Sequence, residues 1–472
     1  MKYINMKMKL TIFLSFFWLA QLATAQKTHE LTVDKAVKMA LENGEDIKNL
    51  KLDVQIQEAM NKEIKGTALP QVTGTGQATY YTNLPQVQFP NSNIGIYDVL
   101  SKEGVQDRSG NPINTSNASF SVQEVAFVAP FSFNFGVGVQ QLLFQPDVFV
   151  ALKARAASIQ YANNNIAIAE DKVKESVQKA YYSVLIAEKQ KTILEETLQR
   201  LVNLTNEMTQ MYNNGFAEKL DIEKLTVTQN NTITSANQLT NAISINKALL
   251  KNTLGVPMQD TLVLVDQLET DEMNALLIMG EDNFNYELRS EIGLLNTAQK
   301  LQDLDIERQK LSIYPTVAAF YTLQRQGQRN PAFAPPGQTP WFFFNTGLIG
   351  LSVNQPIFDG FQRKYKIAQS KLKADKVVNN ITQVKRAIDM EQDIARNSLS
   401  NAILNLKSQE GNVTLAKDVF ETTKKKYAAG LGSSLELIQA DTELQRAQGN
   451  YFQSLYDCYI ANVSYKKSLG KL

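Results

Sequence analysis

One histidine and one cysteine are all that the 472 residues offer a metal ion or a disulfide. Cys458 cannot close a bridge within the chain and reads as a small buried apolar side chain on a helix, while His29 has no second histidine or cysteine with which to hold zinc. There is no glycine-rich phosphate loop and no nucleophile elbow, and pairs such as Glu195 and Glu196 or Asp303 and Asp305 sit among helical charges. The chain reads as no enzyme, with no cofactor. Bulk charge is also missing: a formal net charge of +1 excludes a nucleic-acid binder held by electrostatics. A transmembrane helix, which takes about 20 apolar residues, is absent too, because the longest such run, Leu10 to Ala20, falls short.

That run belongs to a leader. Lys2, Lys7 and Lys9 form a charged start, the apolar stretch follows, and Ala23-Thr24-Ala25 supplies a small-residue cleavage site. Residues 1–25 are therefore expected to be a signal peptide, and their removal takes away three lysines and no acid, which turns the net charge slightly negative.

Proline is missing from two long stretches and glycine nearly so, and those stretches are duplicated. Val139, Gln141, Phe144 and Ala154 recur as Val353, Gln355, Phe358 and Ala368. One inserted residue later Tyr212, Gly215, Leu220, Lys251 and Leu254-Gly255 recur as Tyr427, Gly430, Leu435, Lys466 and Leu469-Gly470. We read a first repeat over 26–256, a linker over 257–284 and a second repeat over 285–472, a spacing too long for a solenoid. Asp147 to Asn213 lacks both breakers, so it makes a rod of about 100 Å at about 1.5 Å per residue. Its counterpart spans Phe361 to Ala429, broken only by Gly411.

Each rod turns at a glycine, Gly215 or Gly430, and a shorter helix returns over roughly 218–253 or 433–468. Residues 45–67 and 286–313 form shorter amphipathic helices that make up the missing length. Val173, Val177, Ala180, Val184 and Ala187 follow the spacing of knobs-into-holes packing.

Between short helix and rod, each half carries a candidate strand pair. Phe131, Phe133, Phe135, Val137 and Val139 alternate with small or polar residues, as do Phe343, Gly347, Ile349, Leu351 and Val353. Partners run over about 71–81 and 316–323, and the pairs with their connections fill about 71–145 and 316–357. The first pair holds an insertion over 83–117, rich in Asn, Ser, Gly and Pro, which reads as a long extracellular loop. The pattern fits a transmembrane β-barrel or a soluble sandwich. In lipid four strands cannot close, since a barrel needs at least about 8 and an open edge is not tolerated there. Several chains would then build one barrel.

The residues also carry a likeness. The leader, Leu31 to Asn43, Leu69-Pro70-Gln71-Val72 with its second-half version Tyr314-Pro315-Thr316-Val317, and the two Tyr-x-x-Gly-x-x-x-x-Leu turns together resemble the TolC-type outer-membrane efflux proteins. The resemblance implies a mainly α chain whose four β-strands join those of two sister chains in a twelve-stranded transmembrane barrel, with a helical coiled-coil tunnel in the periplasm. It implies a homotrimer in outer-membrane lipid, working passively with a periplasmic adaptor protein and an inner-membrane pump of RND or ABC type in efflux or type I secretion. A structural periplasmic coiled-coil or adaptor protein with a soluble β domain is the other reading of the same segments.

In the family the periplasmic aperture closes near the turns. Aligned on Tyr427 and Gly430, the acidic pair falls on Glu436 and Gln439, and the basic lock on Gly432, so one acid and the lock are replaced. Glu436 is either a threefold carboxylate ring or a solvated glutamate in a first helical turn. Tyr427 either bonds across the mouth or packs the helix end. Gly215, Gly430, Leu220 and Leu435 mark the turns at which adaptor tips would dock.

Overall fold

The computed structural model describes residues 27–114, 116, 120–126, 129–268, 284–329, 337 and 341–472. The expected leader lies outside them, as do residues 269–283 of the expected linker. The chain forms two compact units, Met1–Ala59 with Ala154–Leu304 and Gln369–Leu472, and Met60–Lys153 with Asp305–Ala368. Neither unit is a sequence half; each draws on both repeats.

The first unit is helical. It opens with β1 (Thr28–Leu31), α1 (Val33–Asn43) and α2 (Glu45–Thr67), the last running on into the second unit. The first rod is α4 (Pro146–Asn213), since a short α3 precedes it in the insertion, and α5 (Lys219–Leu254) returns from it. Strand β6 (Thr261–Leu264) lies parallel to β1, so the start of the expected linker is a strand. A 3-10 turn at Tyr286–Leu288 leads into α6 (Ser290–Leu311), and the second rod and its return are α7 (Gln362–Ala428) and α8 (Ser434–Ser468). These bounds lie within a residue or two of those read from the sequence, except that the expected helix over 286–313 splits at Arg289.

Two side-chain clusters hold the middle of this unit. Val177 and Val184 of the heptad-like series are fully buried, against Ala36, Ala40, Leu250, Leu254 and Leu262. The seam therefore meets a small mixed core, where Tyr181 Oη donates to the Leu31 carbonyl at 2.8 Å. Cys458 sits fully buried in the other cluster, with Leu399, Leu406 and Tyr459, and burial pushes its thiol up to about 11.

An ionic network ties four helices beside these cores. Arg289, largely buried, donates to Glu291 at 3.0 Å, Glu391 at 2.8 Å and the Ser468 carbonyl at 3.2 Å, and Lys467 reaches Glu175 at 3.0 Å. Burial opposes ionisation of Glu175 and Glu291, yet hydrogen bonds from Lys179 and Lys467, and from Arg289, outweigh it and hold both carboxyls below their usual 4.5. Depressed carboxyls stabilise above the unfolded value and lose that contribution as pH falls through the folded one. Stability of the purified protein, followed by thermal unfolding, should therefore be steady above pH 4.5 and fall below it. Glu175→Gln should shrink the fall.

The second unit is built on an antiparallel sheet in the order β2 (Gln71–Tyr80), β5 (Phe131–Phe144), β7 (Thr316–Arg329), β8 (Phe342–Asn354). Residues read as one loop over 83–117 hold β3 (Gln86–Ser92) and α3 (Ile94–Lys102), and β3 pairs with β4 (Phe120–Ala126). That corrects the expectation: a turn-rich composition hid a second hairpin, whose strands gain their order from each other. Strand β7 also runs on to Arg329, beyond the expected end near Leu323. Gln324, Arg325, Gln326, Gln328 and Arg329 are polar on both faces, so the apolar alternation stops while the backbone pairing with β5 and β8 continues.

Candidate aperture and membrane-facing sheet

Register sorts the side chains of the sheet, because directly opposed residues share a face. One face takes Val72 from β2, then Phe133, Phe135, Val137 and Val139 from β5, Tyr321 and Leu323 from β7, and Ile349, Leu351 and Val353 from β8. Ile349 is 80% exposed, and nearly all the others named are also open to solvent. The opposite face takes Thr73, Thr75, Gln77, Asn134, Gln140, Thr322, Gln326, Thr346 and Ser352, with Phe320, Phe342, Phe344 and Leu348 as exceptions. Aromatic residues stand at both ends. Phe131, Trp341, Phe342 and Phe343 mark one, and Tyr314, Phe358, Phe361 and Tyr365 the other.

The polar face is open as well, so the sheet leaves its apolar side chains uncovered where a water-soluble sheet would bury that face. Strands β2 and β8, at the edges, are ten and thirteen residues long and lack an outer partner among the described residues. No edge of that length is left open in lipid. The chain is similar to solved outer-membrane channels over most of its length. It superimposes on CusC with a TM-score of 0.67 at 15% identity, over 93% of this chain and 91% of that one. VceC of Vibrio cholerae gives 0.65 at 12% identity, over 93% and 96%.

The fold is that of a TolC-type outer-membrane efflux protein. Residues 296–471, which lie in the second repeat, match the family model described as outer membrane efflux protein. A curated relative, the outer membrane efflux protein BepC of Brucella suis, is 24% identical over 135 residues. That alignment spans 27% of this chain and 28% of the relative.

The turns between rod and return helix hold the residues that the sequence reading named for the aperture. Both turns here have the same backbone. Gly215 and Gly430 take φ of 78° and 74°, the left-handed region where a Cβ is penalised. The Phe216 amide bonds the Met211 carbonyl and the Leu431 amide that of Lys426, which closes a Schellman motif in each. Phe216 and Leu431, equivalent by the repeat offset, are 78% and 82% exposed. Leu220 and Leu435 follow on the first turns of the return helices, also exposed. The sequence reading reached the glycines and leucines and missed Phe216 and Leu431, although the offset of 215 that pairs Gly215 with Gly430 pairs these as well.

Behind the turns Leu201, Leu204, Met208, Leu225, Phe420, Leu437 and Leu444 form a core from both rods and both returns. Tyr427 Oη lies 2.7 Å from Met208 Sδ, and burial with the nearby Asp221 charge raises its pKa. Within the chain, then, Tyr427 joins the second rod to the first. Ser434 donates to Asp221, which also caps α5 with Glu218. Arg200 pairs with Asp441 at 2.9 Å and lies 5.0 Å over the Phe420 ring. The Asp441 side chain is 1% exposed. Neither member of that pair was legible, because 241 residues separate them.

Glu436 and Gln439 are exposed. The Glu436 amide donates to the N-cap Ser433 at 3.2 Å, which makes it a first-turn residue of α8. Its carboxylate leans over Gly432: a Cβ there would sit 3.5 Å from Glu436 Oε2 and 3.3 Å from the Tyr427 nitrogen. A basic side chain at that position would meet Glu436 directly.

Proposed function

We propose that this protein is an outer-membrane exit duct for efflux, three copies of which close one twelve-stranded barrel. The sheet with its uncovered apolar face and two open edges carries the proposal. Four strands with an apolar outer face and a neutral, amide- and hydroxyl-rich inner face form a third of a water-filled barrel, and no arrangement of one chain hides both edges. The soluble-domain alternative requires the apolar face to be covered by the same chain, and Ile349, Leu351 and Val353 are not.

A third argument for self-association comes from the helices. Rod α7 exposes Leu372, Met390, Ile394, Leu404 and Leu415, and α2 exposes Leu52 and Ile56. A stripe of that kind fits a neighbouring copy. Helices α2, α4, α6 and α7 all join the same end of the strands, the end this reading assigns to the periplasm. There Phe216, Leu220, Leu431 and Leu435 offer paired apolar tips to an adaptor protein, and transport energy comes from the inner-membrane pump that the adaptor recruits.

Under this reading Glu436 contributes one carboxylate per chain at the aperture, a ring that attracts cations. Purified wild-type protein should conduct in planar bilayers and be blocked by divalent or trivalent cations from the periplasmic side. Glu436→Lys should weaken that block by about tenfold. Absence of any conductance would refute the duct, whereas conductance with unchanged block in the variant would remove only the ring.

A further inference from the structure

The four sheet strands contain no acidic residue and two bases, Arg325 and Arg329, both of which register places on the apolar face. A charge on the lipid side of a barrel costs about 2–4 kcal/mol at the midplane and little near the headgroups. From Thr316, at about 3.3 Å per residue, they lie about 30 and 43 Å along the strand. A tilt of about 40° reduces these to heights of about 23 and 33 Å, against an apolar band of about 25 Å. Arg325 therefore reaches the far rim of the band and Arg329 stands above it. The helices join the opposite end, so that rim faces the outer leaflet.

The two side chains are held in a ladder. Gly327 lies between them on the same face and opposite Phe343, whose ring fills the space that a Cβ at 327 would take, 2.6 Å away. Arg325 lies 5.1 Å over the Phe343 ring, Trp341 stacks on Phe343 at 5.8 Å and 17°, and Arg329 lies 5.8 Å over Trp341. Phe131 meets Trp341 edge-on at 5.4 Å. Each guanidinium rests over an aromatic ring, and its fork of donors suits phosphate oxygens in bidentate fashion.

We propose that Arg325 and Arg329 bind the phosphorylated sugar headgroup of outer-leaflet glycolipid, one molecule on each chain of the barrel, an inference that rests on the outer-membrane reading above. Four strand residues separate the guanidiniums by about 13 Å, room for two phosphates on one disaccharide. The ligand must be amphipathic, since the same face continues below the ladder as Leu323, Tyr321, Ile349 and Leu351, against which acyl chains lie. Free phosphate has nothing to gain from that face.

The test begins with fractionation, which reads the outer-membrane location independently: a wild-type chain absent from the outer membrane would sink the location and not the ladder. Detergent-purified protein is then titrated with bis-phosphorylated lipid A and followed by native mass spectrometry. Wild type is expected to take up one lipid per chain, Arg325→Gln/Arg329→Gln to bind about tenfold more weakly, and Arg325→Lys/Arg329→Lys to fall between them, as point charges replace forks. Dephosphorylated lipid A should bind wild type no better than the Gln variant binds lipid A, and phosphatidylglycerol and inorganic phosphate should not compete. Equal affinity of the Gln variant, equal binding of the dephosphorylated lipid, or displacement by phosphatidylglycerol would each overturn the proposal. Should the Gln variant misassemble, the lipid arms on wild type decide alone.

Discussion

Ile349→Arg is expected to abolish stable assembly in the membrane, while Thr322→Arg leaves it intact. The two positions lie at nearly one level of the sheet and on opposite faces, since Tyr321 opposes Ile349 and Thr322 opposes Leu348. Ile349 sits mid-height on the apolar face, where an arginine costs about 2–4 kcal/mol, and a three-chain barrel would meet that cost three times. Thr322 faces the polar interior, where water solvates the same guanidinium. Folded yield can be read from the outer-membrane fraction and from the heat-modifiable band on gels. Equal tolerance of the two substitutions would mean that the apolar face is not against lipid.

The second large effect is expected at the helix ends. Asp441 is buried, accepts from Arg200 at 2.9 Å and from Gln445 at 2.6 Å, and joins the first rod to the second return helix. Removing one partner of a buried pair costs about 3–5 kcal/mol. The Arg200 side chain is 23% exposed, so solvent recovers part of its charge and about 2–3 kcal/mol is expected for Asp441→Ala. The same change loosens the packing behind both turns and should raise conductance of the resting channel. Replacing both partners, Arg200→Leu with Asp441→Leu, leaves no orphan charge and should restore most of the stability. Unfolding in detergent and planar-bilayer recording measure the two consequences separately. Asp441→Ala that changes neither would show the pair to be idle.

The rods were legible because nothing interrupts them: from Asp147 to Asn213 no glycine or proline occurs, and Pro146 at the first position suits a helix start. Strand β5 was legible because its phenylalanines and valines alternate cleanly with serine, asparagine and glycine. The outer third of β7 was not, since its pattern is polar on both faces and its pairing comes from β5 and β8. The union of the two hairpins, β5 against β7, depends on pairs 173 to 198 residues apart that no local periodicity encodes. At the turns, repetition exposed Gly215, Gly430, Leu220 and Leu435, which both halves share. Arg200 and Asp441 have no repeat counterparts, as Leu415 and Thr226 stand at the matching positions. A pair that belongs to one half each leaves no trace in a duplicated pattern.

The central claim is that three chains are needed to close the sheet. Native mass spectrometry of the wild-type particle, extracted from outer membranes in mild detergent, tests it most directly. Three chains per particle, separating to single chains when heat breaks the β-edge pairing, is the result this account requires. A water-soluble particle of one chain, obtained without detergent, would contradict it.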